Sequence, residues 1–139
     1  MTIEELQKRF CPKETAKMQA FLQEPESQQI VQLNGLVGSS YPLFVSNLAE
    51  NMTGVHLFAL NSRERAAYFY NDLEKLLNDR NVPLPNKRVH YLPSSFKRAH
   101  NTDEIDNSNV KLRSEIVNKI ANHPDGDYII VTYPEALAE

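Results

Sequence analysis

At 139 residues, 41% hydrophobic and 24% charged, the chain has the composition of one soluble globular domain with a single core. No apolar run approaches the ~20 residues of a membrane-spanning helix, and the polar, acidic amino terminus does not read as a signal peptide. The net charge of −3 argues against a domain-wide grip on nucleic acid, and the single cysteine, Cys11, excludes an internal disulfide framework and fits a reducing cytoplasm.

The chain opens with Thr2-Ile3-Glu4-Glu5, a capping-box pattern, followed by Ile3, Leu6 and Phe10 on one helical face. Cys11-Pro12 breaks that helix, and a second one is expected over residues 13–23, with Ala16, Met18, Ala20, Phe21 and Leu22 inward and Pro25 as the stop. Residues 1–27 thus read as a helical lead-in to an α/β domain over residues 28–139. Cys11 has no histidine near it in sequence, which favours a structural thiol over a nucleophile.

A short apolar run, Ile30-Val31-Gln32-Leu33, leads into Asn34-Gly35-Leu36-Val37-Gly38-Ser39-Ser40-Tyr41-Pro42 and then the apolar residues 43–49. Strand, glycine turn and helix start is the layout of a phosphate-binding loop. Laid over the G-x-x-x-x-G-K-[ST] template, Gly35 fits the first position, but Ser40, Tyr41 and Pro42 stand where Gly, Lys and Ser or Thr belong. Tyr41 has no cation for a terminal phosphate, and Pro42 has neither a hydroxyl for magnesium nor a backbone N–H. The turn is therefore a degenerate phosphate loop built from Gly35, Gly38, Ser39, Ser40, Tyr41 and Pro42, with no cofactor and no metal expected. Read without that template, it is an ordinary strand-to-helix turn that Ser39 or Ser40 caps.

Asn51-Met52-Thr53-Gly54 is a turn, and the nearly continuous apolar residues 55–60 suit a strand covered on both faces. His56 inside it reads as a satisfied histidine and not a ligand. Ser62 caps the clearest helix, with Ala66, Phe69, Leu73, Leu76 and Leu77 on its core face and Arg63, Arg65, Asp72, Glu74, Lys75 and Arg80 on a solvated one. After a Pro-rich loop, residues 88–92 resume a strand. Residues 93–108 form a long polar loop carrying Lys97, Arg98 and His100 beside Phe96, a basic cluster that a nucleic-acid contact could use, although Asp103, Glu104 and Asp106 nearly cancel its charge.

A helix over residues 110–121 with Leu112, Ile116, Val117 and Ile120 inward is followed by a buried strand at Tyr128-Ile129-Ile130-Val131. Thr132-Tyr133-Pro134-Glu135 is a second capping box, and a helix that stops in its first turn predicts a chain that continues in a longer protein. The order predicts a mostly parallel sheet flanked by helices. Its crevice would lie at the carboxyl ends of the strands, where the loops beginning at Gly35, Asn61, Pro93 and Thr132 gather.

The glycine turn, Leu57-Phe58-Ala59-Leu60 with its amphipathic helix ending Leu73-Glu74-Lys75-Leu76-Leu77, Val89-His90-Tyr91-Leu92-Pro93, and residues 128–137 together resemble the amino-terminal portion of the bacterial transcription-repair coupling factors, the Mfd family. The likeness covers the chain from about Gln29 onward. It is also similar to the first domain of the excision-repair helicase subunit UvrB, whose loop keeps the Gly-Lys-Thr ending that Ser40, Tyr41 and Pro42 replace.

The resemblance implies a RecA-like, UvrB-like α/β domain that is not itself an enzyme. In the family, a following inserted domain binds UvrA, and ATP-driven translocation on DNA, with magnesium, resides in distant helicase domains. The family displaces stalled RNA polymerase and recruits nucleotide excision repair in the cytoplasm. No UvrA-contact residue falls within these 139 residues. One departure stands out: Ser94-Ser95-Phe96-Lys97-Arg98 replaces the aromatic and acidic stretch common after the Leu92-Pro93 position, and the chain is expected to be too short for the DNA-wedging hairpin of UvrB. Two alternatives come from other classes: a small nucleotide-binding α/β enzyme with an atypical phosphate loop, and a DNA-binding module working through the 94–108 loop.

Overall fold

The computed structural model describes residues 1–24, 30–98 and 101–139, excepting the side chains of 98 and 101–103. Its centre is a parallel sheet of three strands, β1 (Val55–Ala59), β2 (Val89–Tyr91) and β5 (Tyr128–Thr132), in the order β1-β5-β2. The register runs Val55 to Tyr128 through Ala59 to Thr132 on one side of β5, and Val89 to Ile129 through Tyr91 to Val131 on the other. As the central strand, β5 is buried along its whole length, which is why Tyr-Ile-Ile-Val-Thr carries no polar alternation.

One face of the sheet packs on α3 (Ser40–Ala49) and α4 (Arg63–Leu76), where Phe44, Leu48, Phe69 and Leu73 meet Val89, Ile129 and Val131. Phe58 and Phe69 stack in a tilted pair with ring centroids 5.5 Å apart. Helix α4 starts as its sequence predicts, with Ser62 Oγ accepting from Arg65 N at 3.2 Å. On the opposite face α5 (Asn107–Asn122) buries Ile116 and carries Lys119 to His90, and Asp106 caps it through the N–H groups of Ser108 and Asn109.

The lead-in is two helices, α1 (Ile3–Arg9) and α2 (Pro12–Leu22), and both dock on α3. The capping box at Thr2 and Glu5 is present. Docking is largely polar: Gln7 Nε2 donates to Ser46 Oγ at 2.9 Å, and Asn47 Nδ2 to the Phe10 carbonyl at 3.1 Å. Phe10, Cys11 and Met18 supply the apolar contacts, whereas Ala16, Ala20 and Leu22, expected inward, are exposed and Thr15 is buried in their stead. The expected stop at Pro25 lies outside the described residues.

Several expectations are corrected. Residues 30–33 form no strand, and no main-chain hydrogen bond to a described residue holds them. β1 is covered on one face only: Val55 and Leu57 are 46% and 53% exposed. Val117, expected inward, is 54% exposed. The 93–108 loop, expected to have no periodic structure, contains an antiparallel pair, β3 (Phe96–Arg98) with β4 (Asn101–Ile105).

The second capping box does not form at α6 (Pro134–Leu137), since Thr132 Oγ1 donates instead to the Leu92 carbonyl at 2.9 Å and Tyr133 takes the cap position. That bond ties β5 to the exit of β2. No described helix is long and apolar enough to cross a membrane.

Candidate functional site

The glycine turn lies at the carboxyl end of β1, as the sequence predicts, but it turns without a strand behind it. Gly35 and Gly38 have φ of 86° and 56°, the left-handed region that glycine enters without a steric penalty. Ser40 closes the turn on itself: its Oγ accepts from Val37 N at 2.6 Å and donates to the Val37 carbonyl at 2.8 Å. Ser39 occupies the cap position of α3 without capping it. Neither serine therefore plays the side-chain cap expected of it.

Ser39 is spent elsewhere. Its Oγ bonds Asp72 Oδ2 on α4 at 3.2 Å, which sets a carboxylate against the turn. Tyr41 stands half-exposed at the edge and Pro42 is buried in the first turn of α3. Together the turn, Ala59-Leu60-Asn61 and the α4 residues Arg65, Tyr68, Phe69 and Asp72 enclose a groove of about 690 Å³. The loops beginning at Gly35 and Asn61 thus meet, as predicted. The α4 side chains of the groove escape a reading of the sequence because Arg65, Tyr68 and Asp72 are separated by three and four residues, the spacing of any solvated helix face.

The loops at Pro93 and Thr132 gather separately into a closed network. Arg113 Nη1 donates to the carbonyls of Pro93 and Ala136 at 2.7 and 2.9 Å, and Ser94 N donates to Tyr133 Oη at 2.8 Å. The Glu139 carboxylate accepts from Ser94 Oγ and from Ser95 N, and Arg113 Nε lies 3.5 Å from it. Burial alone would raise the Glu139 carboxyl; the hydrogen bonds from Ser94 and Ser95 and the Arg113 charge hold it below the ordinary value. These groups are consumed in fastening α5 and α6 to the sheet.

At the other end of the sheet lies a buried polar cluster. Lys87 Nζ donates to Glu74 Oε2 at 2.7 Å, Tyr70 Oη donates to the same oxygen at 2.5 Å, and Asp79 accepts from the N–H groups of Arg88 and Val89. Burial raises the Tyr70 hydroxyl well above its usual range, helped by Glu74, while for Glu74 the Lys87 and Tyr70 hydrogen bonds overcome the burial that opposes its charge. Lys119 Nζ donates to the carbonyls of Leu84 and Lys87 at 2.7 and 2.5 Å and contacts His90 Nε2 at 3.2 Å. Burial, then the Lys119 charge, pushes His90 down to about 4. Each cation is matched by protein acceptors, so the cluster is a structural clamp at the start of β2.

Of the nucleic-acid candidates, Lys97 is exposed on β3, with its carbonyl accepting from Arg63 Nη1 at 2.9 Å. The Arg98 side chain and His100 lie outside the described residues. His56 makes a local bond between Nε2 and the Thr53 carbonyl at 2.8 Å, consistent with a satisfied histidine. Among the described residues no group of three or more His, Cys, Asp or Glu side chains could hold a metal ion.

No family model, curated protein or solved structure matches this chain. The chemistry of the groove rests on its own geometry: a glycine turn closed by Ser40, a carboxylate at its lip, and Arg65 with no lysine among the described residues that line it.

Proposed function

We propose that the chain is a catalytically silent α/β scaffold, the amino-terminal UvrB-like part of a transcription-repair coupling factor. It would position the UvrA-recruiting element of that larger protein and pack against its other domains. The observation that carries the reading is the bond between Ser39 and Asp72, which sets a negative charge against the turn while Tyr41 stands at the template's cation position. Tyr41 and Pro42 supply neither cation nor magnesium ligand, and Ser40 is occupied within the turn.

Supporting this, the three parallel strands and the helices α4 and α5 between them follow the strand-helix order read from the sequence from residue 55 onward. ATP, magnesium, DNA and RNA polymerase then belong to other parts of the parent protein.

The test is genetic and physical. Leu73→Asp, which places a charge in the core, introduced at the chromosomal locus, should abolish the faster repair of the transcribed strand after ultraviolet damage. Asp72→Asn at the groove should leave that bias intact. Unchanged strand bias in the Leu73→Asp strain overturns the coupling assignment.

A further inference from the structure

Asn34-Gly35 is the one place in the chain where glycine follows asparagine, and it heads the glycine turn. Both residues are exposed. An asparagine side chain can close a five-membered ring on the next main-chain nitrogen, and glycine obstructs that closure least because it carries no Cβ beside the nitrogen. At Gly35, with φ of 86°, nothing lies within 4 Å of the place a Cβ would take.

Two further observations leave the pair free to react. No hydrogen bond to a described residue holds the Gly35 N–H, so solvent base reaches its proton. The turn is also anchored on one side only: Leu36 packs on the core, whereas residues 30–33 make no main-chain hydrogen bond to a described residue. The Asn34 side chain can therefore swing over the Gly35 nitrogen without breaking a helix or ladder bond. Gln32 Nε2 donates at 3.4 Å to Asn34 Oδ1, the oxygen on which charge develops when Cγ is attacked.

Other asparagines are followed by a main-chain nitrogen that is already engaged. Ser108 N, after Asn107, donates to Asp106 Oδ1, and His123 N, after Asn122, donates to the Lys119 carbonyl. Lys87 N, after Asn86, is likewise taken by the Leu84 carbonyl. Asn61, exposed and followed by Ser62, has no such lock among the described residues and is the natural comparison, differing from Asn34 in the Cβ of its successor.

We propose that Asn34 deamidates spontaneously, with water as the only co-reactant, and so adds a carboxylate to the glycine turn that Asp72 already faces. Solvent base removes the Gly35 N–H proton, and the nitrogen lone pair forms the N–Cγ bond as the Cγ–Nδ2 bond breaks. The departing nitrogen takes a proton from water and leaves as ammonia. Water then opens the succinimide: cleavage of the N–Cγ bond gives aspartate, and cleavage at the Asn34 main-chain carbonyl gives isoaspartate. Nothing is oxidised or reduced. Either product adds one negative charge to the formal −3 of the chain, and isoaspartate also lengthens the main chain by one atom just ahead of the Leu36 anchor. The inference is independent of the repair reading, since it depends only on the turn.

Peptide mapping of the full chain by mass spectrometry, after incubation in mildly alkaline buffer, reads the reaction directly. The peptide holding Asn34 should gain about 1 Da in ordinary water and about 3 Da in heavy-oxygen water, as two chromatographically separate products. Its rate should exceed that at Asn61 by about ten-fold or more, and Gly35→Ala should slow it by a similar factor. The folded chain should react within about ten-fold of the same chain in guanidinium, since the turn leaves the pair free. An Asn34 peptide that stays unmodified, reacts no faster than Asn61, yields no isoaspartate, or is protected by folding beyond that factor overturns the proposal. So does Gly35→Ala reacting as fast as the unmodified chain in guanidinium, a comparison that holds whether or not the variant folds.

Discussion

Ser39 on the glycine turn donates its hydroxyl proton to Asp72 on α4 across 3.2 Å. That one bond holds a carboxylate, a group that repels phosphate, against the turn. Calorimetric titration with ATP and magnesium is therefore expected to give no binding heat at millimolar nucleotide. Tyr41→Lys alone should not restore binding, because Pro42 still offers no magnesium ligand and Asp72 still opposes the triphosphate. Saturable binding of the unmodified chain with a dissociation constant below about 100 μM would contradict the silent-loop reading.

Acid should destabilise the fold through His90. The folded-state value of about 4 lies below the ordinary 6.5, so between those two pH values the unfolded chain binds a proton that the folded chain refuses. Stability is complete above the unfolded value and falls as pH drops through the window, by up to about 1.4 kcal/mol per pH unit. Urea unfolding at pH 7.0 and 5.0 measures the slope. His90→Gln should flatten it, and an unchanged slope in that variant would assign the effect to another group.

Removing one member of the clamp should cost more than removing two. In Lys87→Met the Glu74 carboxylate, in a side chain only 8% exposed, loses its cation, and about 3 to 5 kcal/mol of stability should go with it. Glu74→Gln combined with Lys87→Met leaves no buried charge unmatched and should recover a large part of that loss. Denaturant midpoints of the single and double variants decide it; additive losses would mean that the two side chains do not act as a pair.

The lead-in helices should contribute to stability through few contacts. Phe10 is the largest apolar side chain they bring to the core, so Phe10→Ala is expected to cost about 2 kcal/mol, while Ile3→Ala, at an exposed position, should fall within about 0.5 kcal/mol of the unmodified chain. Thermal unfolding of the two variants is the measurement. Equal effects would show that α1 packs differently from the arrangement described.

Much of the architecture follows from local pattern. The capping groups at Thr2 and Ser62, the core face of Ala66, Phe69 and Leu73, and the uninterrupted apolar strand at residues 128–132 are statements about neighbours three or four residues apart or about a single run. That the glycine turn offers neither a lysine nor a hydroxyl at the template's last two positions was legible in the same way, because Tyr41 and Pro42 lack a lysine ammonium and a Ser or Thr hydroxyl wherever they sit.

What the tertiary structure decided is whatever depends on a neighbour far along the chain. Residues 30–33 have the composition of a strand, yet a strand exists only where another strand supplies hydrogen bonds, and β1 presents its edge without engaging them. Thr132 matches a cap by spacing, but the Leu92 carbonyl, 40 residues away, takes its hydroxyl. Asp72 reads as solvated surface until α3 and α4 pack together and bring Ser39 against it. Sequence alone determined which groups the turn lacks, since that resides in side-chain identity; only the fold determined which group stands against it, since that is a matter of which surfaces meet.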